Sequence, residues 1–140
     1  MMPWISLDHA WEAVRAVRDH AARDGFLPVC LCVAAENGEE ILLARMDGAP
    51  ERLISIVRAK AYTSVRMRCS TREFHERLLA ENLSLADFRD SGLTSLPGGI
   101  PIMNRDICLG AVAVSGRALS QDVDLAEYFA HVLVKLCAMD

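Results

Sequence analysis

The sequence has no apolar run near the ~20 residues that a membrane-spanning helix requires. The longest such run, residues 26–35, contains Pro28 and reads as a buried strand. Positive charge is not in surplus either. The chain carries 15 Lys and Arg against 19 Asp and Glu, a net charge of −4. Nucleic-acid binding draws on a basic footprint that displaces counterions, so this balance speaks against a nucleic-acid partner. The opening residues, Met1 to Asp8, have no basic segment leading into an apolar one. They do not read as a secretory signal, and a cytoplasmic protein is expected. The five cysteines form no C-x-x-C pair. In a reducing compartment they are expected as free thiols.

Catalytic signatures are also missing. There is no G-x-S-x-G, no P-loop, no H-E-x-x-H and no G-x-G-x-x-G after a strand. His9, His20, His75 and His131 lie far apart, and none has a second histidine three or four residues on. A metal cluster is not expected, although a single histidine remains available as an axial haem ligand. Cys30 and Cys32 point to one face of a strand. They suit a metal pair or, more simply, packing as small apolar side chains. No catalytic residue is assigned.

What is present is an ordinary globular composition, 52% hydrophobic and 24% charged in 140 residues. This excludes disorder and coiled coil, and its length suits one domain spanning residues 1–140. Ser6 can cap a first helix over about residues 6–24, with Leu7, Ala10, Trp11, Val14, Val17 and Ala21 at helical spacing. Residues 28–35 are apolar at both parities, as in a strand covered on both faces. Asn37-Gly38 marks a hairpin turn, and residues 40–46 form the return strand. A second helix is expected from Pro50 to about Cys69, and a third opens at Ser70-Thr71. Leu83 to Asp90 suits a short helix. Residues 94–104 read as two edge-type segments joined at Gly98-Gly99, because prolines do not suit a central strand. Ile107 to Ser115 is another covered strand, and Ser120 caps a last, broadly apolar helix. The order is α-β-β-α-α-β-β-β-α around an antiparallel sheet.

Three places invite chemistry. Gly98-Gly99 exposes backbone N–H groups able to cradle a carboxylate, or simply bends between strands. Arg45-Met46-Asp47 stands at a strand end, where ligand groups are often carried, although a solvated turn fits as well. Lys60 is flanked by small residues and either reaches into a crevice or faces solvent. The stretch 51–77 holds seven basic and three acidic residues. Such asymmetry steers an anion, covers a solvated face or meets another subunit.

Leu43-Ala-Arg-Met-Asp-Gly-Ala-Pro, Arg58-Ala-Lys-Ala-Tyr-Thr-Ser, Pro97-Gly-Gly-Ile-Pro-Ile and Gly110-Ala-Val-Ala-Val-Ser-Gly, with Asp122 downstream, occur in that order. Together they resemble the GlcG/HbpS-like family, which includes the C-terminal domain of PduO-type proteins and is often labelled haem-degrading. The resemblance covers about residues 6–136. It implies an α+β profilin-like sandwich with a five-stranded antiparallel sheet, homo-oligomers, and haem or a related tetrapyrrole as ligand.

The expected site gathers Arg45, Met46, Asp47, Lys60, Gly98, Gly99 and Pro101. Arg45 and Lys60 would pair with carboxylates, the Gly-Gly backbone would donate hydrogen bonds, and Met46 or a helix histidine would approach iron. Two alternatives stand beside this reading. One is an enzyme for a small carboxylic or carbonyl substrate, with Lys60 as base or Schiff-base nucleophile. The other is an accessory structural subunit.

Overall fold

Local signals set most of the element boundaries. The Ser6 hydroxyl accepts the backbone N–H of His9 at 3.1 Å and starts helix α1, Leu7–Ala21. Ser70 does the same for Glu73 at the start of α3, Thr71–Ala80. Between them lie strands β1, Cys30–Ala35, and β2, Glu40–Arg45, joined by the Asn37-Gly38 turn, and helix α2, Leu53–Met67. A 3₁₀ turn at Leu85–Phe88 precedes β3, Gly99–Asn104, β4, Ile107–Ser115, and α4, Leu119–Ala138. These elements come from a computed structural model that describes residues 4–139. Residues 1–3, on which part of the signal-peptide expectation rests, lie outside the described residues.

The sheet departs from expectation. It is antiparallel with four strands in the order β2-β1-β4-β3, not five, and the element order is α-β-β-α-α-3₁₀-β-β-α. The missing strand is the segment before Gly98. Its backbone donors are drawn off by side chains. Thr94 N–H donates to Thr63 Oγ1 at 2.9 Å, and Leu96 N–H donates to Thr94 Oγ1 at 3.3 Å. Pro97 has no N–H, and Gly98 sits at φ +127°. A ladder cannot form from such a run.

Two helix starts also shift. Helix α2 begins at Leu53, whose N–H donates to Pro50 O, so Pro50 precedes the helix. In α4 the N-cap is Ala118 and not Ser120, without a side-chain cap.

The pleat divides the sheet into two apolar layers. Leu31, Val33, Ile102, Val112 and Val114 pack under α1 and α4 with Val17, Leu125, Phe129 and Leu133. Cys30, Cys32, Ala34, Ala111 and Ala113 meet Val57, Ala61 and Val65 of α2. The small residues of the second layer let α2 lie close to the sheet. A third cluster, with Phe74 edge-on to Phe88 at 5.2 Å, seats α3 and the 3₁₀ turn.

One side chain closes the far end of the first layer. The Arg117 guanidinium donates to both oxygens of Asp24 at 2.7 and 2.9 Å, and to the carbonyls of Leu27 and Ala21. It thereby ties the loop after β4 to the C-terminal end of α1.

Candidate functional site

The expected site residues fall into two groups at opposite edges of the sheet. Gly98, Gly99 and Pro101 belong to the β3 edge. Arg45, Met46 and Asp47 belong to the β2 edge. Lys60 joins the first group, on the α2 layer.

Lys60 is 1% exposed. Its ammonium donates to Val114 O at 2.9 Å and to Asp122 Oδ2 at 3.0 Å. Asp122, 2% exposed, accepts Arg117 N–H on its other oxygen at 3.0 Å. Desolvation pushes the Lys60 pKa below its ordinary value, against the pull of the Asp122 carboxylate.

The two glycines leave room for the lysine side chain and for the α2 backbone beside it. A Cβ on Gly98 would lie 2.9 Å from Lys60 Nζ and 2.7 Å from Val114 O. One on Gly99 would strike the Lys60 carbonyl and come 2.6 Å from Ser64 Oγ. Gly99 N–H donates to Thr71 Oγ1 at 2.9 Å. The sequence reading brought Lys60 and Gly98-Gly99 together, and the structure does too, but as buried packing. Gly98 and Gly99 also line a crevice of about 250 Å³ with Ser70, Val123 and Glu127. Pro101 stands opposite Ala111 in the sheet.

The β2 edge is open. A groove of about 580 Å³ runs between α1 and the consecutive residues Leu42 to Asp47. Trp11, Val14, Arg15, Arg18 and Ala22 form its α1 wall. Because four successive β2 residues and the two that follow line it, the groove follows the strand edge and not one face. Met46 N–H donates to Val29 O, and Ala49 N–H donates to Met46 O. These bonds anchor the strand end that carries Arg45, Met46 and Asp47.

The groove therefore combines an indole, a thioether and aliphatic carbon with three guanidiniums. Such a lining suits a flat apolar molecule bearing anionic groups. The residues fit haem in donor chemistry: Met46 supplies a soft thioether of the kind that ligates haem iron, and the arginines supply partners for propionates. Among the described residues no group of three His, Cys, Asp or Glu is placed to hold a metal ion.

Sequence reasoning missed the α1 wall. It placed Trp11 only in the apolar spacing of the first helix, and Trp11 is 53% exposed. The available signal was the shared stripe of Trp11, Arg15 and Arg18, spaced by four and three residues.

The cysteines are free thiols. Burial pushes Cys32 up to about 12, with Glu40 adding to the shift, so it stays a neutral packing group. On the α2 side, Tyr62 donates to Asp90 at 2.6 Å, with its ring held between Gly38 and Gly92.

The architecture is thus an antiparallel α+β sheet with the Lys60–Asp122 pair packed against Gly98-Gly99 at one edge and an open groove at the other. The model of the haem degrading protein HbpS-like family matches residues 5–130. The chain belongs to that family. It is 32% identical over 124 residues to the protein GlcG of Escherichia coli K12, covering 89% of this chain and 91% of GlcG. The crystal structure of Streptomyces reticuli HbpS, as a double mutant, superposes with a TM-score of 0.83 at 27% identity, covering 95% of this chain and 89% of the other. The chain of a PduOC–haem complex shares the fold, with a TM-score of 0.81 at 22% identity over 92% of this chain and 94% of that one.

Proposed function

We propose that this chain is a self-associating, cytoplasmic haem- or tetrapyrrole-binding protein, with the groove between α1 and β2 as its ligand site. The observation that carries the reading is the groove: apolar along its length and lined by Arg15, Arg18 and Arg45. The family description as haem-degrading supports the ligand class. In this reading Trp11, Leu42 and Ala44 cover the macrocycle, and the arginines hold its propionates. The Met46 thioether is the side chain that would supply a ligand to the iron. Bound haem would supply redox chemistry at its iron. The protein's part is to exclude water from the ring faces and fix its orientation. Gly98, Gly99, Pro101 and Lys60 support the scaffold from the other edge in this assignment.

The test is a haemin titration of the purified protein followed through the Soret band. A saturable, stoichiometric shift that weakens in Arg45→Glu and changes position in Met46→Ala is expected. A spectrum that stays that of free haemin overturns the proposal.

A further inference from the structure

The groove is much longer than it is wide. Its α1 wall runs from Trp11 to Ala22, about 16 Å at 1.5 Å per residue. A volume of about 580 Å³ spread over that length leaves a cross-section of about 36 Å². Such a channel takes an extended chain along its axis, whereas a disc enters it only edge-on.

The α1 wall is graded along that axis. At about 100° per residue, Leu7, Trp11 and Arg18 fall within about 40° of one another around the helix, with Arg15 and Ala22 beside them. Leu7 and Trp11 are 58% and 53% exposed, so the first half of this row offers bare carbon. The second half offers Arg15 and Arg18. The acids of the helix, Asp8, Glu12 and Asp19, fall on the next row, about 100–140° round from Leu7.

Strand β2 repeats the gradient, because helix and strand run in the same sense. Ile5, just before α1, lies by Ala34 and Gly110, and Ala34 pairs with Glu40. Ala21, at the other end of α1, shares the Arg117 guanidinium with Leu27, near the Val29–Met46 bond. Leu42, Leu43 and Ala44 thus continue the apolar part, and Arg45 joins Arg15 and Arg18 at the basic end. Among the described residues Arg15 and Arg45 enter no ion pair, and Arg18 uses only Nε on Asp19. Asp47 is the one acid in the lining, against three arginines. At the apolar end, Glu40 is already held by Arg58 at 2.6 Å.

We infer that the groove takes a long-chain carboxylate, with its head group among Arg15, Arg18 and Arg45 and its chain along Trp11, Leu42 and Leu7. A guanidinium meets a carboxylate through paired N–H groups, and each methylene buried on the wall tightens binding by up to about fourfold. The inference rests on the groove being the ligand site and is independent of haem.

Trp11 reports on the site directly, since Trp4 is the other of the two tryptophans. Dodecanoate, titrated below its micelle concentration, is expected to give a saturable change in tryptophan fluorescence that Trp11→Phe removes. Dodecanol has the chain without the charge, and butyrate the charge with little chain. Each is expected to bind at least about tenfold more weakly. The double variant Arg15→Glu/Arg45→Glu should weaken dodecanoate by a similar factor, with circular dichroism unchanged, and Leu7→Gln should weaken dodecanoate more than butyrate. Equal binding of dodecanol or of butyrate overturns the inference, as does a fluorescence change that survives Trp11→Phe. No binding of dodecanoate by a protein that shifts the Soret band of haemin overturns this inference alone. Binding of dodecanoate without any haemin shift supports it and overturns the haem reading. Failure of both ligands overturns the groove as a site.

Discussion

The β3 edge and the β2 edge of one sheet carry equally chemical-looking residues and use them in opposite ways. At β3, a lysine, an aspartate and two glycines are locked together out of solvent, with Lys60 Nζ between Val114 O and Asp122. At β2, arginines, a methionine and a tryptophan stand half-exposed along a groove. The difference teaches that unusual residue types do not by themselves mark a ligand site. A buried ion pair needs every polar atom satisfied by the fold, which leaves little for a ligand to bond. At the groove Arg18 already donates to Asp19 at 2.8 Å through one nitrogen, and its other N–H groups stay open to a visitor.

Unequal sensitivity to substitution would sharpen that contrast. The largest effect is expected from Asp122→Ala, which strands the buried Lys60 cation. Urea unfolding should show a loss of about 3–5 kcal/mol. Replacing both partners, as Lys60→Met with Asp122→Leu, should recover much of it, because apolar isosteres of a buried pair are often neutral. Equal losses in the single and double variants would break the comparison. Next comes Gly99→Ala, whose methyl meets the Lys60 carbonyl and Ser64 Oγ. Overpacking of this kind costs about 1–3 kcal/mol, read as a lowered denaturation midpoint.

A third prediction concerns acid. At Asp24, desolvation raises the carboxyl pKa, but the Arg117 hydrogen bonds and charge outweigh it and hold the group below its ordinary 3.8. A depressed folded pKa gives stability that is present above the unfolded value and lost as pH falls through the folded one. Stability should therefore drop below about pH 3.8, and Asp24→Asn should flatten that limb in pH-dependent melts. The smallest effect on stability is expected at the open edge. Arg45→Glu should change it by less than about 0.5 kcal/mol, as for surface positions generally, while weakening haemin binding. A large destabilisation there would mean that the groove is structural after all.

Much of the scaffold was legible. Ser6 and Ser70 act as the N-caps their sequence contexts suggest. Asn37-Gly38 closes the hairpin, and the double-parity apolar run of β4 is buried almost throughout. The fifth strand was not decidable from residues 94–98, since the competition came from Thr63, a side chain 31 positions away. The site was half legible. Spacing linked Lys60 to Gly98-Gly99 through the resemblance, yet could not reveal that the link is packing. Nor could periodicity place Trp11, because a helical stripe beside a sheet edge repeats just as one over its middle does. Arg45 and Met46 were singled out because a strand end is a recurrent place for ligand groups, and both line the groove.

The Arg117 guanidinium reaches partners 90, 93 and 96 positions away along the chain. Contacts of such separation demand the closure of most of the polypeptide before they return any energy. They belong on the native side of the folding barrier, after the β1–β2 hairpin has formed. A bond made that late governs how long the folded state lasts more than how quickly it is reached. Arg117→Ala should accordingly steepen the unfolding limb in time and leave refolding nearly as fast as before, which makes this one side chain a clasp on the lifetime of the molecule.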